Sequence, residues 1–286
     1  MKVLLTGGKG MLGRTICRVL GGQFEIVPTD LPEADITDEV CIDRVIAEAH
    51  PDVVVHCAAA TAVDACESKV DFAYCLNARG TANVATACNR NGVRLIAIST
   101  DYVFDGDLDR PYNEFDRATG GHTVYGRSKF AGEELIRTLC PNHCICRISW
   151  LYGFGGPSFV HSMLKLADGT HPVLKVVDDQ RGNPTSAIAV ARQLGDLLLR
   201  PMLCGTFHMT CEGEASWAEF AREIFRIAGK EQAILPCATE EFPRPAPRPK
   251  NSRLDKFMFR ISDMPQMPDW RVALAEFMKE EFGYGA

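Results

Sequence analysis

A glycine-rich turn between the first apolar run and the first helical segment restricts the fold more than any other stretch of this chain. Lys2 to Leu5 reads as a short buried strand, Thr6-Gly7-Gly8-Lys9-Gly10-Met11-Leu12-Gly13 comes next, and helical residues continue to about Leu20. Glycines at 7, 10 and 13 let the backbone turn tightly, approach a pyrophosphate and pack the helix on the strand. N–H groups at the start of that helix then face the phosphates, which makes Gly7, Gly10, Met11, Leu12 and Gly13 candidates for binding a dinucleotide.

Beyond Leu20 the chain repeats the strand-helix rhythm with short connections. Phe24 to Pro28 forms the second strand, Glu39 to Ala49 a helix and Asp52 to His56 the third strand. A long helix is expected from about Ser68 to Asn89, then a strand from Leu95, a helix from Ser128 to Leu139 and a strand from Cys144 to Ser149. This pattern specifies an α/β fold of Rossmann type, with a doubly wound parallel sheet. Asp30, where the second strand ends, is placed to accept the adenosine ribose hydroxyls and so favours NADH. Lys9 and Arg14 lie close enough to attract a 2′-phosphate, so NADPH stays open. Asp35 and Ile36 can reach the adenine amine, and small Ala58, Ala59 and Ala60 let a cofactor lie against the backbone. Asn77 either sits on the helix surface or contacts the cofactor; His56 reads as a satisfied strand-end residue with no catalytic role.

Chemistry concentrates between Leu95 and Lys129. The apolar run Leu95-Ile96-Ala97-Ile98 stops at Ser99 and Thr100, so a buried strand delivers two hydroxyls to the carboxyl edge of the sheet, where such sheets bind ligands. Tyr125 and Lys129, four residues apart on a helix, project from one face. A free phenol has a pKa of about 10. A nearby ammonium favours the phenolate, and the phenol can then hand a proton to a carbonyl oxygen. Thr100, hydrogen-bonded to the same oxygen, completes a catalytic set of Thr100, Tyr125 and Lys129.

Past Tyr152 the rhythm changes. Ser158 to Ala167 is helical, Val173 to Val177 a strand, Asp179 to Thr185 a turn-rich loop, and a helix runs to Leu199. Gly205 to Met209 reads as a strand and Trp217 to Ala228 as a helix. The expected division is a dinucleotide-binding domain over 1–152 with a returning segment at about 184–210, and a smaller α/β substrate domain from 153–183 and 211–286. Phe242 to Arg253 alternates prolines with Arg244, Arg248, Lys250 and Arg253: an extended surface segment, or a set of cations that meets a substrate phosphate.

Composition narrows the partners. A net charge of −6 argues against nucleic acid. No apolar run approaches the roughly 20 residues of a membrane span, and the short opening run does not read as a signal peptide, so a cytoplasmic location is expected. The 12 cysteines are scattered without zinc-knuckle spacing and read as reduced core residues, with no metal site expected.

The chain resembles the extended short-chain dehydrogenases/reductases, and within them the dTDP-4-dehydrorhamnose reductase family. The likeness rests on Gly7-x-x-Gly10-x-x-Gly13, Thr61-Ala62-Val63-Asp64 with Glu67, Ser99-Thr100-Asp101-Tyr102-Val103-Phe104-Asp105-Gly106 and Tyr125-Gly126-x-x-Lys129. It continues through Arg147 with Trp150, Asp179-Gln180-x-Gly182-x-Pro184-Thr185 and Arg248-Pro249-x-x-Ser252-x-Leu254. The resemblance implies reduction of a 4-keto sugar nucleotide by NADH or NADPH, with Tyr125 as acid, Lys129 at the nicotinamide ribose and Thr100 on the carbonyl oxygen. It implies a substrate site of Val63, Asp64, Thr100, Asp101, Tyr102 and Trp150, with Arg248 near the nucleotide end. Some members are described as magnesium-bridged dimers through an acidic residue early in the first helix. Arg14-Thr15 stand there in this chain, so neither that metal nor that dimer is expected, and a monomer or homodimer fits.

Two rival readings remain at this level. Sugar-nucleotide dehydratases place an Asp-Glu pair after the strand-ending threonine, and Asp101-Tyr102 lacks that base. The regulatory subunit of methionine adenosyltransferase is similar to the reductase family, and would make the chain a dinucleotide-binding partner protein without catalysis.

Overall fold

The computed structural model describes residues 1–285. Strands β1 (Lys2–Thr6), β2 (Glu25–Thr29), β3 (Val53–His56), β4 (Arg94–Thr100) and β5 (His143–Ile148) lie in one parallel sheet, and Gly205–His208 returns as its sixth strand beside β5. The first five run in the order 2-1-3-4-5, with every neighbouring pair parallel. The connections that follow β1 and β3 leave toward opposite faces of the sheet, so a crevice opens at the carboxyl ends of these two strands.

Strand alternation explains the two-sided core. Val3 and Leu5 face helix α1 (Met11–Leu20) and the Ala187–Leu198 helix, while Leu4 faces α2 (Glu39–Ala49) and the Thr81–Arg90 helix. Helix α2 starts where the sequence supplies a cap: the Asp38 carboxylate accepts from the N–H groups of Val40 and Cys41 at 3.0 and 3.1 Å.

After β5 the chain builds small sheets over the crevice end. Val173–Val177 pairs in parallel with Ala233–Cys237, and Leu151–Tyr152 with Thr185–Ser186. Arg181–Gly182 lies between Ala215–Ser216 and Asn251–Ser252. The Trp217–Ala228 helix has the expected bounds because both ends are punctuated. A capping box joins Ser216 and Glu219, and Gly229 closes the helix at φ 62°.

Three differences from the sequence reading have physical causes. The single helix expected from Ser68 to Asn89 is broken: Val63–Ser68 and Val70–Tyr74 meet at a non-helical Lys69, and Cys75–Gly80 is a π-helical turn before Thr81–Arg90. The helix carrying Tyr125 and Lys129 starts earlier than Ser128, at Val124, because the Thr123 hydroxyl accepts from Gly126 N–H at 2.9 Å. The strand Ala233–Cys237 and the helix Trp270–Phe282 were not anticipated. That helix buries Trp270, Leu274, Phe277 and Met278, the i, i+4, i+7, i+8 stripe of a surface helix, and sets Phe277 against Tyr152 at 5.2 Å. Among the described residues, no helix is long and apolar enough to cross a membrane.

Candidate active site

Backbone contact shapes the first half of the cleft. Gly7 adopts φ 71°, and a β-carbon there would come within 2.7 Å of the Ala58 backbone nitrogen, so the β1 turn lies directly on the chain leaving β3. No side chain caps α1 at Gly10, so the first N–H groups of that helix face the cleft without a protein partner. Asp30 accepts from Lys9 N–H and Leu31 N–H, each at 2.9 Å. The neighbouring cations are engaged: Lys9 Nζ donates to the Leu31 carbonyl at 2.5 Å, and Arg14 donates to the carbonyls of Lys9 and Gly155. A glycine cradle, open helix N–H groups and the Asp30 carboxylate beside them fit a dinucleotide.

The second half is built from β4 and the Val124–Leu139 helix. Glu67 anchors the start of that helix by accepting from Val124 N–H at 2.8 Å. Tyr125 meets Tyr102 edge to face at 5.5 Å, and desolvation pushes its phenol up while the Thr100 hydroxyl pulls it down. Lys129 lines the same cleft, and its ammonium gives one of its three N–H groups to the Ile98 carbonyl at 2.8 Å. Burial lowers Lys129 to about 8, against the pull of Glu133 and Cys57. One helical turn further, Glu133 accepts from Ser99 Oγ at 2.6 Å and from Arg147 Nε and Nη2 at 2.9 and 2.7 Å. Its own burial is overcome by Arg147, Arg137 and Ser99, which hold its carboxyl down at about 2. This buried group under Lys129 was missed in the sequence, although the 125, 129, 133 spacing marks it.

Asp101 is buried beside Thr100. Thr100 Oγ1 donates to Asp101 Oδ1 at 3.0 Å, whereas Asp101 Oδ2 is buried with no partner. Burial raises this carboxyl to about 6, with Ser252 and Thr100 opposing.

One cleft of about 610 Å³ collects most of the expected residues. Gly7, Gly10, Met11, Leu12, Gly13, Asp30, Asp35, Ile36, Ala58 and Ala59 line one end; Val63, Thr100, Asp101, Tyr102, Tyr125, Lys129 and Trp150 line the other. Four do not line it. Asn77 is buried in the π-helical turn, where its amide accepts from Ala60 N–H at 2.8 Å and donates to Ala60 C=O at 3.1 Å and Ser128 Oγ at 2.9 Å. It fastens the loop against the Val124–Leu139 helix, and Ala60 is held behind the lining. Asp64 and Arg248 pair with each other at 2.9 Å, and Ala246 N–H adds 3.2 Å to the same carboxylate, so the proline-rich segment is strapped to the Val63–Ser68 helix. Of the other cations in that segment, Arg253 pairs with Glu214. Ser149, Leu151, Leu31 and Thr61 line the cleft without having been anticipated.

Trp150 has its own geometry. Its backbone is left-handed at φ 46°, and its ring stacks on Trp217 with centroids 3.6 Å and planes 9° apart. Gln180 accepts from Trp217 Nε1 at 3.0 Å, and a β-carbon on Gly182 would stand 2.7 Å from Trp150 Nε1. His56 spans Thr6 at 2.7 Å and Thr81 at 3.1 Å and is fully engaged.

A dinucleotide cradle joined in one cleft to a buried Tyr-x-x-x-Lys face and strand-end hydroxyls defines a nicotinamide-dependent oxidoreductase of the extended short-chain type. Comparison narrows the class. The chain belongs to the family described as RmlD substrate binding domain, which matches residues 1–282. It is 40% identical over 280 residues to the spore coat polysaccharide biosynthesis protein SpsK of Bacillus subtilis, covering 98% of this chain and 97% of that protein. It is likewise 40% identical over 280 residues to a dTDP-4-dehydrorhamnose reductase of Streptomyces griseus, covering 96% and 91%. The dTDP-4-dehydrorhamnose reductase of Bacillus anthracis, solved in complex with NADP, superposes with a TM-score of 0.94 at 38% identity, covering 98% of this chain and 99% of that one.

Proposed function

We propose that this chain reduces the 4-keto group of dTDP-4-dehydro-L-rhamnose, giving dTDP-L-rhamnose, with NADPH or NADH. The observation that carries the reading is the meeting of Thr100, Tyr125 and Lys129 with the glycine cradle in one cleft. Relatives at 40% identity over nearly the full length, one of them named for this reaction, support the substrate.

Bound reduced nicotinamide supplies hydride to the C4 carbonyl carbon. Gly7, Gly10, Met11, Leu12 and Gly13 hold the pyrophosphate, Asp30 the adenosine ribose, Asp35 and Ile36 the adenine, and Ala58 and Ala59 the flat side of the cofactor, with Ala60 behind them. Asn77 serves by holding that loop. Tyr125 gives its proton to the carbonyl oxygen as negative charge develops there. Lys129, directed into the cleft wall by its bond to Ile98, holds the nicotinamide ribose. Val63, Tyr102 and Trp150 shape the sugar pocket, and Arg248, now paired with Asp64, meets the diphosphate. Segments 1–152 and 184–210 make up the cofactor domain, and 153–183 with 211–286 the substrate domain. The enzyme works in the cytoplasm as a monomer or homodimer.

The test tracks NADPH and NADH absorbance with dTDP-4-keto-6-deoxyglucose in the presence of a 3,5-epimerase. Epimerase-dependent oxidation by the wild type that is lost in Tyr125→Phe supports the reading. No oxidation with either cofactor sinks it, and moves the weight to another 4-keto-6-deoxy sugar nucleotide or to a non-catalytic partner protein.

A further inference from the structure

Thr100 carries one hydroxyl hydrogen and stands between two oxygens that want it. On one side is Asp101 Oδ1, 3.0 Å away; Tyr125 lines the same cleft, and the Thr100 hydroxyl draws its phenol down. Lys129 gives one of its three N–H groups to the Ile98 carbonyl. Asp101 meanwhile presents a second oxygen, Oδ2, in the wall of the same cleft; it is buried and among the described residues makes no hydrogen bond of ordinary geometry, although the Ser252 hydroxyl faces the carboxyl. A buried carboxylate left with an unpartnered oxygen is costly to keep ionised.

We propose that Asp101 is a positioning residue: through the single hydrogen of the Thr100 hydroxyl it decides how readily Tyr125 releases its proton. This rests on the reductase reading above. An ionised Asp101 holds the Thr100 hydrogen on Oδ1. Its charge also opposes a second negative charge on Tyr125. A neutral Asp101 releases the hydrogen, which swings to the phenol oxygen and stabilises it as the phenol proton leaves for the substrate. The step balances: the O–H bond of Tyr125 breaks, one O–H bond forms on the reduced sugar oxygen, and Thr100 keeps its own hydrogen throughout.

The groups facing Asp101 allow this exchange. Tyr102 adjoins it in the chain, Tyr125 approaches from the catalytic helix, and Ser252 reaches it from the proline-rich strap. Arg248 and Asp64 act on Tyr102 from beyond, as an ion pair whose charges offset. Burial therefore dominates and raises the carboxyl to about 6.

Two measurements test the proposal. The first needs no substrate: pH-difference infrared spectra of the protein in the carboxyl region. A protonated carboxyl that titrates near 6 is expected in the wild type, is missing in Asp101→Asn, and moves to higher pH in Thr100→Val, which removes a donor to the charged form. Glu114, another carboxyl raised by burial, stays in all three spectra. The second is kcat against pH with NADPH and the 4-keto sugar nucleotide. The wild type is expected to fall to a plateau roughly tenfold lower as pH rises through the Asp101 transition, about the worth of one charge-assisted hydrogen bond. In Asp101→Asn that step disappears, and adding Thr100→Val removes the advantage of the asparagine. An Asp101→Asn spectrum that has lost no titrating carboxyl band relative to the wild type, or a kcat step that survives the substitution, overturns the proposal. A wild type that reduces no 4-keto sugar nucleotide sinks the reductase reading alone, while the infrared spectra still decide for or against Asp101.

Discussion

Arg147 grips Glu133 through two hydrogen bonds, 2.9 and 2.7 Å long, with both side chains within 3% of full burial. The pair sits one helical turn beneath Lys129 and joins β5 to the Val124–Leu139 helix. Removing one member leaves a buried charge alone, which costs far more than the pair contributes when intact. Glu133→Gln is expected to destabilise the fold by about 3 to 5 kcal/mol, read as a drop in denaturant midpoint. The pH dependence has a definite sign. The Glu133 carboxyl is held at about 2 from a reference of 4.5, so its contribution is complete above 4.5 and is lost as pH falls toward 2. Glu133→Gln should flatten that part of the acid-stability curve; an unchanged slope would show that the pair does not control it.

Tyr125→Phe keeps the ring and its contact with Tyr102 but removes the acid. Turnover should drop by roughly 10²- to 10⁴-fold, the range for one general acid, while cofactor affinity by fluorescence titration stays within a factor of about two of the wild type, the bonding of Lys129 to the strand being untouched. A parallel loss of cofactor binding would assign Tyr125 to the cradle.

Gly182→Ala places a methyl 2.7 Å from Trp150 Nε1, against a ring already clamped on Trp217. Overpacking of this kind costs about 1 to 3 kcal/mol. Displacement of Trp150 should also raise KM for the sugar nucleotide more than it lowers kcat. Steady-state kinetics and a thermal melt on the same preparation separate the two effects.

Asp30→Ala tests cofactor choice. Its carboxylate takes two backbone N–H groups where a 2′-phosphate would approach, so the wild type should disfavour the extra charge. Removing it should shift the ratio of kcat/KM for NADPH over NADH upward by about tenfold, the effect of one like-charge contact. An unaltered ratio would place the ribose away from Asp30.

Much of this architecture is legible because local signals and the global fold agree. The glycine turn, the strand ending in Ser99-Thr100 and the Tyr125–Lys129 spacing each rest on a short stretch whose geometry is self-determined. Asn77 was less legible because the π-helical turn that turns it inward has no simple sequence signature. Lys129 projects as its spacing requires, but whether its ammonium meets Tyr125 or the Ile98 carbonyl depends on a neighbouring strand, which periodicity cannot report. Ala233–Cys237 carries Pro236 and so reads poorly as a strand; it survives at an edge, with one neighbour, Val173–Val177. Pairings of two residues, such as Arg181–Gly182 with Asn251–Ser252, are set by tertiary contact alone.

The late return of Gly205–His208 to the sheet also bears on how the chain folds as it leaves the ribosome. Until that segment emerges, β5 is the open margin of a nascent five-stranded sheet, with Cys144, Ile145 and Cys146 facing no covering strand on that side. A translational pause before residue 205 would prolong the exposure and invite misassembly between neighbouring chains, so the rate of synthesis across this interval bears on yield of the folded protein.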